Sequence, residues 1–295
     1  MSAQGRVPRP GDWRSETLYD DVEVSFRADR VLFEDKTEHQ DLVLFENARF
    51  GRVLMLDGVT QVTTADEFVY HEMMAHTPIL AHGNAKRVLV IGGGDGGTIR
   101  EVLRHESVES CTLVEIDEGV VTFSKKYLAE ISDGAFDDPR LTLAIADGAK
   151  FVAETEERFD VIIVDSTDPH GPGAVLFSKA FYRNCQRSLT PGGVMVTQNG
   201  VPFTQAEELK DSVRHFRDLF RDGTCFVCTV PTYVWGQMAL GWASDDATLR
   251  DVPVETLRAR FEAAGLTGRT RYYTPEVHKG AFALPPYIGT LFDDL

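Results

Sequence analysis

Residues 88–102 read VLVIGGGDGGTIREV, and the architecture follows from how this stretch is read. A short apolar run enters a glycine-rich turn and leaves it on helical spacing. Strand, turn and helix in that order make a nucleotide-binding loop, whose glycines let backbone approach a ligand closely. Yet Asp95 stands in the middle of the loop, where a phosphate would have to lie. At ~4 Å and an effective dielectric of about 20, two like unit charges cost about 4 kcal/mol. A pyrophosphate ligand such as NAD is therefore disfavoured, as is ATP, and no G-K-[ST] completes a P-loop.

The rhythm on either side differs. Residues 17–63 carry short, roughly alternating segments, DVEVSFRADRVLFED, HQDLVLFENA and FGRVLMLDGVTQVTT, separated by turn residues. ADEFVYHEMMAHTPIL then predicts a helix capped near Thr64 and stopped by Pro78. From residue 88 onward, apolar strands (RVLVIG, CTLVEID, LTLAIAD, FDVIIVDS, GGVMVTQN) alternate with helical segments such as GTIREVLRH, GVVTFSKKYLAEI and AEELKDSVRHFRDLF. Near-continuous apolar strands between helices predict a parallel sheet covered on both faces. TCFVCTVPTYVWGQMALGWAS is expected to add a closing antiparallel pair. The expected fold is α/β: a Rossmann-like, methyltransferase-type doubly wound sheet over 66–295, preceded by a small all-β domain over 1–65.

In such sheets the ligand lies beyond the carboxyl ends of the strands. Successive predicted strands here end in an acid: Asp95 just past the first, then Glu115, Asp147 and Asp165. Glu115 follows Gly94 at close to the ~20-residue spacing at which an acid receives ribose hydroxyls. A carboxylate suits that task because it only accepts, and a vicinal diol donates twice. Asp147, followed by Gly148, is placed to accept from an adenine amino group. What fits the loop is an adenosine bearing positive charge, S-adenosylmethionine or a relative with a sulfonium. In IIVDSTDPHGPG, Asp165 and Asp168 flank a turn, and paired carboxylates at a cavity mouth can hold an ammonium or act as base.

Composition narrows the partners. The 295 residues are 43% hydrophobic and 26% charged, with a net charge of −16. That balance is ordinary for a soluble protein of one or two domains. It argues against nucleic acid and anionic membranes, and for cationic small molecules. No apolar run reaches the ~20 residues that span a bilayer, and the first residues lack a signal-peptide core, so a cytoplasmic location is expected. No metal site is expected either. Cys225 and Cys228 fall on opposite faces of a predicted strand, and HEMMAH is one residue too long for H-E-x-x-H, which turns His71 and His76 apart.

LDGVTQVTTADEFVYHEMMAH, IGGGDGG, VEID, DDPR, ADGAKF, DSTDPHGPGAVLF and VPTY, in that order and spacing from about Trp13 to the C-terminus, resemble the polyamine aminopropyltransferases. The resemblance implies transfer of an aminopropyl group from decarboxylated S-adenosylmethionine, a co-substrate, to putrescine, with no further cofactor. It implies that Gln40 and Glu115 hold the donor's ribose end, Asp147, Gly148 and Pro172 its adenine, and Asp95 its terminal amine. The loop would thus cradle a cation. By the same resemblance His71, Asp95, Asp165, Asp168 and Tyr233 face the acceptor, Asp165 with Tyr70 is catalytic, and Gln61, Gln198 and Trp235 line the pocket. Loop 168–178 would close over substrate, and the chain would form a homodimer or homotetramer. Two places depart from the family: Val234, Trp235 and Gly236 stand where many members read P-S-G, and His170 where most are apolar. The acceptor therefore stays open among putrescine, cadaverine, agmatine and spermidine. An S-adenosylmethionine-dependent methyltransferase and a non-catalytic polyamine-binding protein are the competing readings.

Overall fold

Alternating segments and continuously apolar ones build two kinds of sheet. The computed structural model describes residues 11–16, 18–37, 40–169 and 171–295, and the chain divides between Asp66 and Glu67 into two units. In the first unit, β1 (Asp12–Ser15) pairs antiparallel with β2 (Ser25–Ala28). A separate meander runs β3 (Arg30–Lys36), β4 (Asp41–Asn47), β5 (Gly51–Leu56) and β6 (Val59–Thr63). Asp57 and Gly58 join β5 to β6 with φ of 48° and 76°, the two left-handed residues that a tight hairpin turn requires. Phe26, Phe45, Val53 and Met55 supply this unit's core.

The second unit is built on a seven-stranded sheet. Its strands are β7 (Arg87–Gly92), β8 (Ser110–Glu115), β9 (Leu141–Ile145), β10 (Phe159–Asp165), β11 (Leu189–Gln198), β12 (Asp222–Cys228) and β13 (Met238–Ser244). The order is β12-β13-β11-β10-β7-β8-β9. From β11 to β9 all neighbours are parallel, and β13 and β12 close the edge antiparallel, as the sequence predicts. The helices are α1 (Glu67–His82), α2 (Gly97–Leu103), α3 (Glu118–Tyr127), α4 (Ala129–Ser132), α5 (Gly148–Glu154), α6 (Lys179–Ser188), α7 (Ala206–Leu219), α8 (Val254–Ala263), α9 (Pro275–Ala281) and α10 (Pro286–Gly289).

Successive strand residues feed opposite faces. Val88, Val90, Val161 and Ile163 pack with Met73 and Ile79 of α1, Ile99 of α2 and Leu257 of α8. Leu89, Ile91, Ile162 and Val164 pack with Val152 of α5, Tyr182 of α6 and Phe216 of α7. Cys225 belongs to the second core and Cys228 to the first, so the C-x-x-C pair is split by the sheet. All the cysteines are free and buried.

One expectation is corrected. Helix α1 begins at Glu67 and continues through Pro78 to His82. An interior proline costs about 3 kcal/mol through its missing N–H and its ring. The helix is buried along nearly its whole length, Met73, Met74, Ile79 and Leu80 included. At roughly 1.5–3 kcal/mol for each such side chain, packing outweighs that cost. The strand order reverses direction between β7 and β10, which makes their carboxyl ends the switch point where a ligand crevice forms.

Candidate active site

At the switch point Gly92 pairs in register with Asp165. Gly92 and Gly93 have φ of 79° and 75°, and side chains at both positions are blocked. A Cβ on Gly92 would lie 2.1 Å from the Asp165 carbonyl oxygen, and one on Gly93 2.6 Å from its Oδ2. The glycines therefore let the loop fold flat against the end of β10, and the Asp165 carboxylate lies against Gly93. Asp95 turns back on the loop: its Oδ1 accepts from the Gly97 N–H at 2.8 Å.

Asp165 is half-buried and held from both sides. Its Oδ1 accepts from the Tyr70 hydroxyl at 2.8 Å and its Oδ2 from the Thr98 hydroxyl at 2.6 Å. Desolvation raises its pKa, Asp95 adds to the rise, and His71 together with the two hydroxyls offsets part of it. A carboxyl shifted upward is a better match for taking a proton from an amine. Tyr70 is buried and, through that burial and the nearby Asp165 charge, stays a neutral phenol.

Beneath this pair runs a line of buried charges. His71 Nδ1 lies 2.6 Å from Glu67 Oε2, one helical turn away on α1, and His71 Nε2 lies 3.5 Å from Asp95 Oδ2. Arg100 of α2 grips Glu67 with both terminal nitrogens, at 3.1 and 2.8 Å, and donates through Nε to Glu101 at 2.7 Å. Burial works against the charge on His71, but Asp95 and Glu67 push its pKa up to about 10. Burial works against Glu67 too, yet His71 and Arg100 hold it at about 2. His76, on the same helix, turns away to His105 at 2.9 Å and Glu101 at 3.1 Å, so the two histidines point apart as predicted.

Glu115, only 8% exposed, accepts from the Asp117 N–H at 3.0 Å. A Cβ on Gly94 would lie 2.9 Å from Glu115 Oε2, so the loop and this carboxylate share one wall. Desolvation pushes Glu115 up to about 7. Asp147 is exposed, and its Oδ1 caps α5 by accepting from the Ala149 and Lys150 N–H groups at 2.8 and 3.1 Å. Gly148 has a packing reason to be glycine, because a Cβ there would lie 2.3 Å from Ile91 Cγ2.

On the other side, Gln198 Nε2 donates to Asp168 Oδ1 at 3.0 Å, which brings two predicted residues together. Gln198 is buried, and its Oε1 has no partner among the described residues. An acceptor atom left bare beside a carboxylate suits an incoming ammonium. Tyr233 acts electrostatically on the Tyr70 phenol, and both it and Trp235 are half-buried against the core that contains α1. Pro172 lies in the 3-10 segment Gly171–Phe177, and His170 lies outside the described residues. Gln40 and Gln61 belong to the first unit, where Gln40 N–H donates to Thr37 Oγ1 at 3.1 Å and Gln61 Nε2 to the Val59 carbonyl at 3.2 Å.

Sequence reasoning missed Thr98, Glu67 and Arg100. The i,i+4 spacing of Glu67 and His71 was a legible signal for that pair. The partnership of Arg100 with Glu67, between helices far apart in the chain, left none. Among the described residues no cluster of His, Cys, Asp and Glu suits a metal ion, and no helix is long and apolar enough to cross a membrane.

Comparison with known proteins identifies the family. A family model described as "Spermine/spermidine synthase domain" matches residues 67–252, and one described as "Spermidine synthase tetramerisation domain" matches residues 13–64. The polyamine aminopropyltransferase of Ruegeria sp. is 60% identical over 280 residues, 95% of this chain and 98% of that protein. Polyamine aminopropyltransferase 1 of Pseudomonas aeruginosa is 58% identical over 273 residues, 92% of this chain and 95% of its own. A crystal structure of spermidine synthase in complex with the transition-state analogue AdoDATO superposes with a TM-score of 0.90 at 38% identity, over 98% of this chain and 97% of that one. The chain belongs to the spermine/spermidine synthase family and is a polyamine aminopropyltransferase.

Proposed function

We propose that the enzyme is a spermidine synthase, moving the aminopropyl group of decarboxylated S-adenosylmethionine to putrescine and leaving methylthioadenosine. The observation that carries the reading is the meeting of Asp165, Tyr70, Asp95 and His71 at the switch point, with the orphaned Gln198 Oε1 beside Asp168.

Glu115 takes the donor's ribose hydroxyls, Asp147 and Gly148 border adenine with Pro172, and Asp95 takes the donor's terminal ammonium. Putrescine lies along Asp168, Gln198, Tyr233 and His71, with Trp235 as further lining. Only a neutral amine is a nucleophile. At a lysine-like pKa of about 10.4, supplying that form at pH 7 costs about 4.6 kcal/mol. Asp165 offsets this by accepting the proton, directly or through water, while Tyr70 orients the same carboxylate. The amine's lone pair forms the new C–N bond as the C–S bond breaks, and that electron pair returns to the sulfonium sulfur. The positive sulfur is already a good leaving group, and alignment of amine and carbon supplies much of the rate.

Assembly of copies through the first unit is supported by the match of residues 13–64, and a cytoplasmic location suits polyamine synthesis. The test is product analysis with putrescine, cadaverine, agmatine and spermidine as acceptors. Putrescine should show the highest kcat/KM, and a tenfold preference for another amine overturns the acceptor assignment.

A further inference from the structure

His71 stands where an ammonium is wanted. Its Nε2 is 3.5 Å from Asp95 Oδ2, its ring lies under the first turn of α2, and a Cβ on Gly97 would come within 2.2 Å of its Cε1. Its Nδ1 is committed, because Glu67 is a carboxylate that can only accept and lies 2.6 Å away. Arg100 fixes Glu67 through two hydrogen bonds, so the Glu67 carboxylate has no freedom to turn from the ring. One tautomer is thereby imposed, and the single variable left on His71 is the proton at Nε2.

The groups facing the ring are Glu67 and Tyr70 on α1, Asp95 in the glycine loop, Asp165 at the end of β10, and Arg100 on α2 behind Glu67. Carboxylates outnumber cations among them, which favours a charged imidazole, and its pKa is accordingly raised. An empty site lined by Asp95 and Asp165 would otherwise hold unbalanced negative charge away from water.

We propose that His71 is a resident cation that occupies the place of the substrate ammonium beside Asp95 in the empty enzyme and surrenders its Nε2 proton to solvent when that ammonium binds. Glu67 and Arg100 are the positioning residues that hold it in this state. The inference rests on the proposed assignment of Asp95 to an ammonium. The step balances simply: the N–H bond at Nε2 breaks, its electron pair stays on nitrogen, and the bared lone pair then accepts a hydrogen bond from the ammonium. The site keeps one positive charge throughout, and Nδ1–H remains on Glu67. Two cations at one carboxylate would repel each other, which is why the proton leaves.

The test is calorimetric titration of the whole protein at pH 8 in phosphate and in Tris, whose ionisation heats differ. Decarboxylated S-adenosylmethionine should release on the order of one proton per site, and methylthioadenosine, which lacks the ammonium, none. His71→Gln should abolish the release while still binding methylthioadenosine, and Glu67→Gln should reduce it, since its imidazole starts neutral. Equal heats in both buffers for the native enzyme, or undiminished release in His71→Gln, overturn the proposal. Should Glu67→Gln fail to fold, nitrogen NMR of 15N-histidine enzyme decides: an imidazolium at His71 in the empty protein and a neutral Nδ1–H ring with donor support it, and a neutral ring in the empty protein overturns it. Absence of any binding of donor and methylthioadenosine would instead refute the proposed function, with the empty-state spectrum still deciding the charge on His71.

Discussion

Replacing Asp165 by asparagine separates charge from shape. Oδ1 would remain an acceptor for the Tyr70 hydroxyl, now at 2.8 Å, and the new amide N–H would point at Thr98 Oγ1, now at 2.6 Å from Oδ2. A hydroxyl accepts as readily as it donates, so Thr98 Oγ1 takes one amide N–H, but the Thr98 O–H and the second amide N–H then lose the carboxylate as acceptor. Folding stability should therefore fall by about 1–3 kcal/mol. What is lost is the proton acceptor. A positioned general base contributes ~10²–10⁴ in rate, about 3–5 kcal/mol of barrier. Because the amine must also lose a proton that is held at a pKa of about 10.4, the loss should be well inside that range. The assay is formation of methylthioadenosine under saturating substrates, alongside calorimetric affinity for methylthioadenosine and a urea titration. Several-hundred-fold lower kcat with near-native nucleoside affinity is the expected result. Turnover within tenfold of the native enzyme refutes the assignment of Asp165 as base.

Three further outcomes follow from the same geometry. Asp95→Ala should weaken decarboxylated S-adenosylmethionine far more than methylthioadenosine, and equal losses by calorimetry would contradict its contact with the donor ammonium. Glu115 accepts from both ribose hydroxyls only when ionised and is pushed up to about 7 by desolvation. Methylthioadenosine affinity should thus fall about tenfold per pH unit below 7, and a flat profile to pH 5.5 would exclude this residue. Arg100→Met takes from buried Glu67 one of its two cationic partners and should cost about 3–5 kcal/mol in urea unfolding. Despite the upward pressure of burial, partner contacts hold Glu67 and Glu101 at about 2, below the ordinary 4.5. The stability they supply is present above about pH 4.5 and lost as pH falls toward 2, and Arg100→Met should lose that acid dependence in part.

The strands of the sheet were readable because buried parallel strands are apolar on both faces, so RVLVIG and FDVIIVD stand out against any background. The tally of acids at their ends was readable for the same reason: once strands are located, topology places their carboxyl ends on one edge. The end of α1 was misread because proline carries a strong local signal, while the burial that overrides it is non-local. Asp147 shows a different limit, since a carboxylate beside glycine reads equally as ligand contact and as helix cap, and its Oδ1 is here a cap. Thr98 escaped notice altogether, because a hydroxyl gains meaning only from the carboxylate that it meets.

Sequence by itself therefore determined the order of strands and helices, the anionic character of the crevice and the family of reaction. The first two depend on residue type and period and the third on resemblance of motifs to a known family, all of which are properties of a line. Tertiary structure alone decided which groups carry which charge: that His71 and Arg100 both hold Glu67, that Tyr70 and Thr98 share one carboxylate, and that among the described residues Gln198 is left with a bare oxygen. Protonation depends on separations of a few ångströms and on exclusion of water, and both are set only when distant helices pack against the same end of the sheet.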